Sequence, residues 1–235
     1  MTKGRGHGDE KSARRGRLLA RPALADADAP KGRQAVTVEG ARDALIYVPA
    51  AYRRDAPAPL AVMLHGAGGE AAQGLSLLQR FADESNLIVV APQSAGGTWD
   101  AIRGGFGPDV LALDRLLGKV FARYSVDGKR VAVGGFSDGA SYALGLGVTN
   151  GELFTHVVAF SPGFVAGVGT LEGSRPKLFI SHGTRDRVLP VEHCSRRIVA
   201  QARGIGFDVR YREFDGPHTV PEEIAREAVD WFVRG

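Results

Sequence analysis

The stretch VAVGGFSDGASYALGLG, residues 131–147, begins as an apolar strand and ends as a small-residue helix. Between the two, Ser137 stands with Gly135 and Gly139 two residues away on either side. A strand that turns into a helix within so few residues brings its backbone close to its neighbours, and glycine removes the Cβ atoms that would collide there. The pattern G-x-S-x-G, in a strand–turn–helix context, exposes a serine Oγ above the edge of a sheet. The stretch therefore predicts a parallel α/β sheet and makes Ser137 a candidate nucleophile.

The rest of the chain extends the same alternation. QAVTVEGARDALIYVP (34–49) alternates around a Glu-Gly break and reads as an antiparallel hairpin. PLAVMLHG (59–66) is a continuous apolar run ending in glycine, as expected of a strand buried on both faces. A helical segment over 70–85 and a second buried strand, NLIVVAP (86–92), follow. Residues 92–109 are glycine-rich and aperiodic, a long loop of the kind that tends to be functional. A helix is predicted over 108–124, then strand 130–134, helix 138–149, strands 156–160 and 177–181, helix 191–204, strand 207–214 and helix 221–234. Strands alternating with helices imply βαβ crossovers, hence an α/β fold with a doubly wound, mainly parallel sheet opened by an N-terminal antiparallel hairpin.

Composition separates the first 33 residues from the remainder. Residues 1–33 hold nine Lys or Arg and four acids, a net +5, whereas 34–235 hold 21 bases and 22 acids, a net −1. The basic character thus belongs to an N-terminal extension, expected to be flexible, and 34–235 form the catalytic domain. The extension lacks interleaved aromatics, so no nucleic-acid partner is expected. Its LLA is too short for a secretory apolar region, and no stretch approaches a membrane span. Cys194 is the sole cysteine, which excludes an internal disulfide and fits a cytoplasmic setting.

Ligands of open α/β sheets bind beyond the carboxyl ends of the strands, so candidate residues should follow strands directly. A serine needs a base, and the base an acid, in the chain order Ser, acid, His for this type of turn. Asp186 follows strand 177–181 in SHGTRDRVLP, and His218 follows strand 207–214 in DGPHTVP. The competing base is His182, which precedes the acid in the chain; the competing acids are Asp208, at the wrong edge of its strand, and Asp215, which is better placed to cap the turn. Oxyanion donors are expected from the backbone N–H of Ala67, in the HGAGG turn after strand 59–66, and of Asp138, at a helix start. The Asp138 carboxylate would repel a developing oxyanion, so it is expected to point away. Trp99 and Phe106 in the 92–109 loop are candidate substrate contacts; the alternative is that they cover the core.

LHGAGG, GGFSDGAS, SHGTRDRVLP and GPHTVPEE, in this order over about residues 34–235, resemble the α/β-hydrolase superfamily, in particular its small serine esterases of the phospholipase/carboxylesterase group. The resemblance implies Ser137 as nucleophile, Asp186 as acid, His218 as base, and Ala67 and Asp138 as oxyanion donors. Related thioesterases read G-F-S-Q-G-G, whereas this chain has Asp138 and Ala140, a departure that touches subgroup and substrate. Dienelactone hydrolases share the architecture but use a cysteine nucleophile. The implied activity is hydrolysis of esters or thioesters of small to medium acyl groups; a peptidase or a hydrolase-fold sensor are the alternatives. No metal or cofactor is implied, since H-E-x-x-H, dinucleotide and Walker patterns are lacking. VAGVGTLEGSRP (165–176) is too short for a helical cap, so an open cleft for a small ester is expected.

Overall fold

Eight strands form one sheet in the order β1-β2-β4-β3-β5-β6-β7-β8 in a computed structural model that describes residues 3–25, 27–167 and 174–235. The strands are β1 (Gly32–Val36), β2 (Ala44–Val48), β3 (Ala58–Leu64), β4 (Ile88–Ala91), β5 (Val126–Phe136), β6 (His156–Phe160), β7 (Lys177–Gly183) and β8 (Val209–Phe214). β1 and β2 are antiparallel, β2 joins β4 antiparallel, and all other pairs are parallel. This is the expected hairpin feeding a doubly wound sheet. In β3, Leu60, Val62 and Leu64 enter one apolar core while Ala61 and Met63 enter the other, so a strand with period-two geometry has no polar face.

The helices cover both faces. α2 (Ala71–Ser76) and α7 (Glu222–Arg234) contribute Leu75, Ile224, Ala228 and Phe232 to one core. α4 (Pro108–Arg123), α5 (Asp138–Thr149) and α6 (Ser195–Gly204) contribute Leu113, Leu117, Ala143 and Ile198 to the other. Among the described residues no helix is long and apolar enough to cross a membrane.

Three segments differ from the sequence expectation. The helix expected over 70–85 stops at Ser76 and continues as a 3-10 turn, Gln79–Phe81. Leu75, Leu78 and Phe81, all buried, are spaced by three, and only a three-residue turn lays all of them on one line. The 92–109 loop contains a short helix, α3 (Asp100–Arg103). The third difference is the N-terminal extension, which is docked where flexibility was expected. α1 (Lys3–Arg14) lies against α4, and the chain beyond it buries Ala13, Leu18 and Ala25. The docking is made by remote polar side chains. Asn150 accepts from the Leu18 N–H (2.8 Å) and donates to Gly16 O (2.7 Å), and Asp114 accepts from the N–H groups of Leu19 and Ala20 (2.6 and 2.8 Å). Of the connection 165–176 that was expected to be too short for a cap, residues 168–173 lie outside the described residues.

Candidate active site

Ser137 occupies the one-residue joint between β5 and α5, with φ 57° and ψ −119°. That backbone region is costly for any residue carrying a Cβ, by roughly 1–3 kcal/mol, and such strain gathers at functional sites. The neighbouring glycines are required by close approach. A Cβ on Gly135 would lie 2.6 Å from Leu64 O, and one on Gly139 2.5 Å from His65 O. The joint is pinned by Ser137 N–H donating to Phe160 O (2.9 Å) and by Ser141, whose N–H and Oγ–H both donate to Ser137 O (3.0 and 3.1 Å).

His218 reaches this joint from the turn after β8. Its Nε2 is 3.0 Å from Ser137 Oγ and its Nδ1 is 2.5 Å from Asp186 Oδ2. An ionised carboxylate only accepts, so Nδ1 carries the proton and Nε2 is left to accept from the serine hydroxyl. The ring rests on Phe136, with centroids 4.5 Å apart. The two turns that carry His218 and Asp186 are tied together by Arg185 N–H donating to Gly216 O (3.0 Å) and Thr184 N–H donating to Phe214 O (2.9 Å). Ser137, His218 and Asp186, separated by 81 and 32 positions along the chain, are thus in one hydrogen-bonded line.

Asp186 is fully enclosed, and burial alone would push its carboxyl up. The Leu189 N–H, His218 and the Val188 N–H outweigh burial and hold it below the ordinary carboxylate range. Its Oδ1 accepts from the N–H groups of Val188 and Leu189, both at 2.8 Å. Protonating it therefore removes stability only as pH falls below the usual carboxylate value, leaving it ionised at neutral pH.

The oxyanion candidates flank Ser137: Asp138 follows it in the chain, and a Cβ on Gly66, next to Ala67, would lie 3.4 Å from the Ser137 Cβ. Asp138 is the first residue of α5, where an N–H has no intrahelical acceptor and the helix end favours negative charge. The Asp138 carboxylate is occupied elsewhere: Oδ2 accepts from Thr98 Oγ1 at 2.7 Å. Ala67 sits in the turn after β3, shaped by Gly68 at φ 69° and closed by Gly69 N–H donating to Gly66 O (3.1 Å). Residues 93–99 clamp this turn from outside. Gly97 O accepts from Gly68 N–H (2.6 Å), Trp99 Nε1–H donates to His65 O (2.9 Å), and Ser94 N–H donates to His65 Nε2 (3.2 Å). Burial pushes the His65 imidazole below its ordinary value, which keeps Nε2 an acceptor.

Two expected substrate contacts take other roles. Trp99 is 1 % exposed, stacked between His65 and Tyr142, and so covers the core and braces the turn that holds Ala67. Phe106 meets Tyr142 edge-on and lies against Gly16 of the N-terminal segment. The 92–109 loop is a brace, locked by a reciprocal pair in which Asp100 N–H donates to Asp109 Oδ2 and Asp109 N–H to Asp100 Oδ2 (2.7 and 2.8 Å). The open cleft beside His218 lies on the other flank. It measures about 450 Å³ and is lined by Ala67, Leu77, Phe81, Phe136, Val220 and Ala225, with the Arg80–Glu222 ion pair also at its wall.

His182, the competing base, is placed away from Ser137. Its partners are Ser195, Leu189 and Asp186, and its side chain is fully buried.

The order of strands and the strained serine joint between β5 and α5 are those of one fold. The chain has the α/β-hydrolase fold. Residues 110–223, from α4 to the start of α7, match the Phospholipase/Carboxylesterase family, a segment that includes Ser137, Asp186 and His218. A bifunctional acetylxylan esterase/xylanase of Neocallimastix patriciarum is 29% identical over 154 residues, covering 63% of this chain. The chain spans only 22% of that relative's length. Among solved structures, an S-formylglutathione hydrolase from Staphylococcus aureus superposes with a TM-score of 0.69 at 15% identity, over 86% of this chain and 100% of that one. An acetyl xylan esterase from Aspergillus awamori gives 0.66 at 18% identity, over 86% and 98%. At these identities the structural likeness is one of fold.

Proposed function

We propose that this protein is a serine esterase, hydrolysing carboxylic esters or thioesters of small to medium acyl groups through an acyl-enzyme. The observation that carries the reading is the continuous line Ser137 Oγ–His218–Asp186 at 3.0 and 2.5 Å, ending at an open cleft. Ser137 Oγ attacks the substrate carbonyl as His218 Nε2 takes its proton, while Asp186 holds the ring and stabilises the imidazolium. The oxyanion that forms is met by the N–H groups of Ala67 and Asp138, each such donor being worth roughly a hundredfold or more in rate. His218 then returns the proton to the departing alcohol or thiol. Water, activated by the same nitrogen, displaces the acyl group from Ser137.

The cleft supports a modest substrate. Leu77, Phe136 and Val220 offer an apolar wall beside the reacting position. The acetyl group in the name of the acetylxylan esterase/xylanase that matches this chain is in keeping with that size.

The test is hydrolysis of p-nitrophenyl esters of graded chain length by the protein and its Ser137→Ala variant. Activity on acetate to hexanoate is expected, with a loss of at least about a thousandfold in the variant. Equal rates in the two proteins would remove Ser137 from the mechanism.

A further inference from the structure

Asp186 lies between two histidines. Its Oδ2 receives His218 Nδ1 at 2.5 Å and also faces His182 Nε2 at 3.1 Å. His182 stands near the end of β7, and both its side chain and that of Asp186 are 0% exposed. The His182 tautomer follows from its neighbours. Nε2 faces only acceptors, Leu189 O at 2.7 Å and the Asp186 carboxylate, so it carries the hydrogen. Nδ1 must then accept, and Ser195 Oγ, 2.6 Å away and buried at the start of α6, donates to it. Burial pushes the His182 imidazole below its ordinary value, which favours this neutral form.

The other charged and titratable groups nearby leave the arrangement undisturbed. Glu213, paired in register with His182 on β8, is held by Arg196 at 2.7 and 2.8 Å and by Tyr211 at 2.8 Å. The Cys194 thiol is pushed up by burial and by the Asp186 charge, so it is neutral. His218 faces Asp186 from the opposite side.

We propose that His182, locked by Ser195, is a positioning residue: its Nε2–H donates to Leu189 O while standing 3.1 Å from the carboxylate oxygen that receives His218, and so sets both the rotamer of Asp186 and its hold on His218. The line runs from Ser195 through His182 to Asp186, His218 and Ser137, and it rests on the serine-esterase reading of the site. With its three donors (Val188 N–H, Leu189 N–H and His218) in place and the His182 ring packed against it, the carboxylate cannot swing away from His218. The polar His182 N–H beside Oδ2 also withdraws charge from it, which weakens its stabilisation of the His218 imidazolium.

The experiment is the pH profile of kcat/KM for p-nitrophenyl acetate in the wild type, His182→Leu, His182→Gln and Ser195→Ala, with the unfolding midpoint of each variant. Loss of the donor in His182→Leu is expected to move the acid limb to higher pH by about half a unit to one unit and to lower the plateau roughly tenfold or more. His182→Gln, whose amide N–H reaches the Nε2 position, is expected to return the limb toward that of the wild type. Ser195→Ala is expected to move it in the same direction as His182→Leu, by less. An acid limb that stays in place in the folded His182→Leu protein overturns the proposal, as does a shift that Gln fails to reverse. If His182→Leu does not fold, an unmoved limb in Ser195→Ala overturns it equally. A Ser137→Ala protein as active as the wild type would instead mark failure of the serine-esterase reading.

Discussion

The backbone of Ser137 offers a direct measurement of what the joint between β5 and α5 costs. At φ 57° and ψ −119° a residue with a Cβ is strained by roughly 1–3 kcal/mol, whereas glycine enters this region freely. Replacing Ser137 by Ala and by Gly removes the same Oγ and the same 3.0 Å contact with His218, so that loss cancels between the two variants. What differs is the strain, relieved only in the glycine, set against about 0.5–1 kcal/mol of extra unfolded-state freedom that glycine loses on folding. Ser137→Gly is therefore expected to exceed Ser137→Ala in stability by about 1 kcal/mol, a Tm difference of roughly 2–4 °C for a domain of this size. Urea unfolding of both variants at neutral pH reads the difference in midpoint at constant slope. Both proteins should be inactive on p-nitrophenyl acetate, so function does not enter the comparison. An alanine variant as stable as the glycine variant, or more stable, would refute the claim that this joint stores strain.

Two further outcomes follow from buried polar groups. His156 is 5 % exposed, packed edge-on against Trp231 and Phe232, and burial with the nearby Lys177 charge lowers its pKa to about 4. The unfolded chain therefore binds a proton that the folded one refuses between about pH 6.5 and 4. Its share of stability is intact above pH 6.5 and declines as pH falls through that window, by at most about 1.4 kcal/mol per unit, and His156→Gln should flatten the pH dependence of the urea midpoint there. Asn150→Ala leaves the Leu18 N–H and Gly16 O without their partner in a buried setting, at a cost of about 2–3 kcal/mol. Trypsin is expected to cut near Arg14–Arg21 in that variant before it cuts the wild type.

Much of the site could be read from one dimension because each member obeys a local rule. Ser137, Asp186 and His218 each follow a strand, and the apolar runs that mark β5 and β7, with the alternating VRYREF of β8, place all three at one edge. The glycines around Ser137 carry a steric signature that needs no knowledge of the neighbouring strand. Trp99 was not legible in the same way, since an aromatic in a glycine-rich loop looks alike whether it faces solvent or stacks between His65 and Tyr142. Nor was the N-terminal segment, whose composition is that of a solvated tail. Its order depends on Asp114 and Asn150, about a hundred or more positions away, which satisfy its backbone.

The sequence alone thus determined the α/β alternation and the strand ends at which Ser137, Asp186 and His218, the residues proposed to perform the chemistry, stand, because periodicity and turn chemistry act over a few residues. Tertiary structure decided what surrounds them. Packing across the sheet turned the 92–109 loop into a brace for the turn that holds Ala67 and directed the Asp138 carboxylate to Thr98. It also brought together His182 on β7, Asp186 4 positions further along the chain and Ser195 at the start of α6, 13 positions from His182. The physical reason is that buried polar groups must find partners wherever the fold brings them, and sequence spacing records no such meeting.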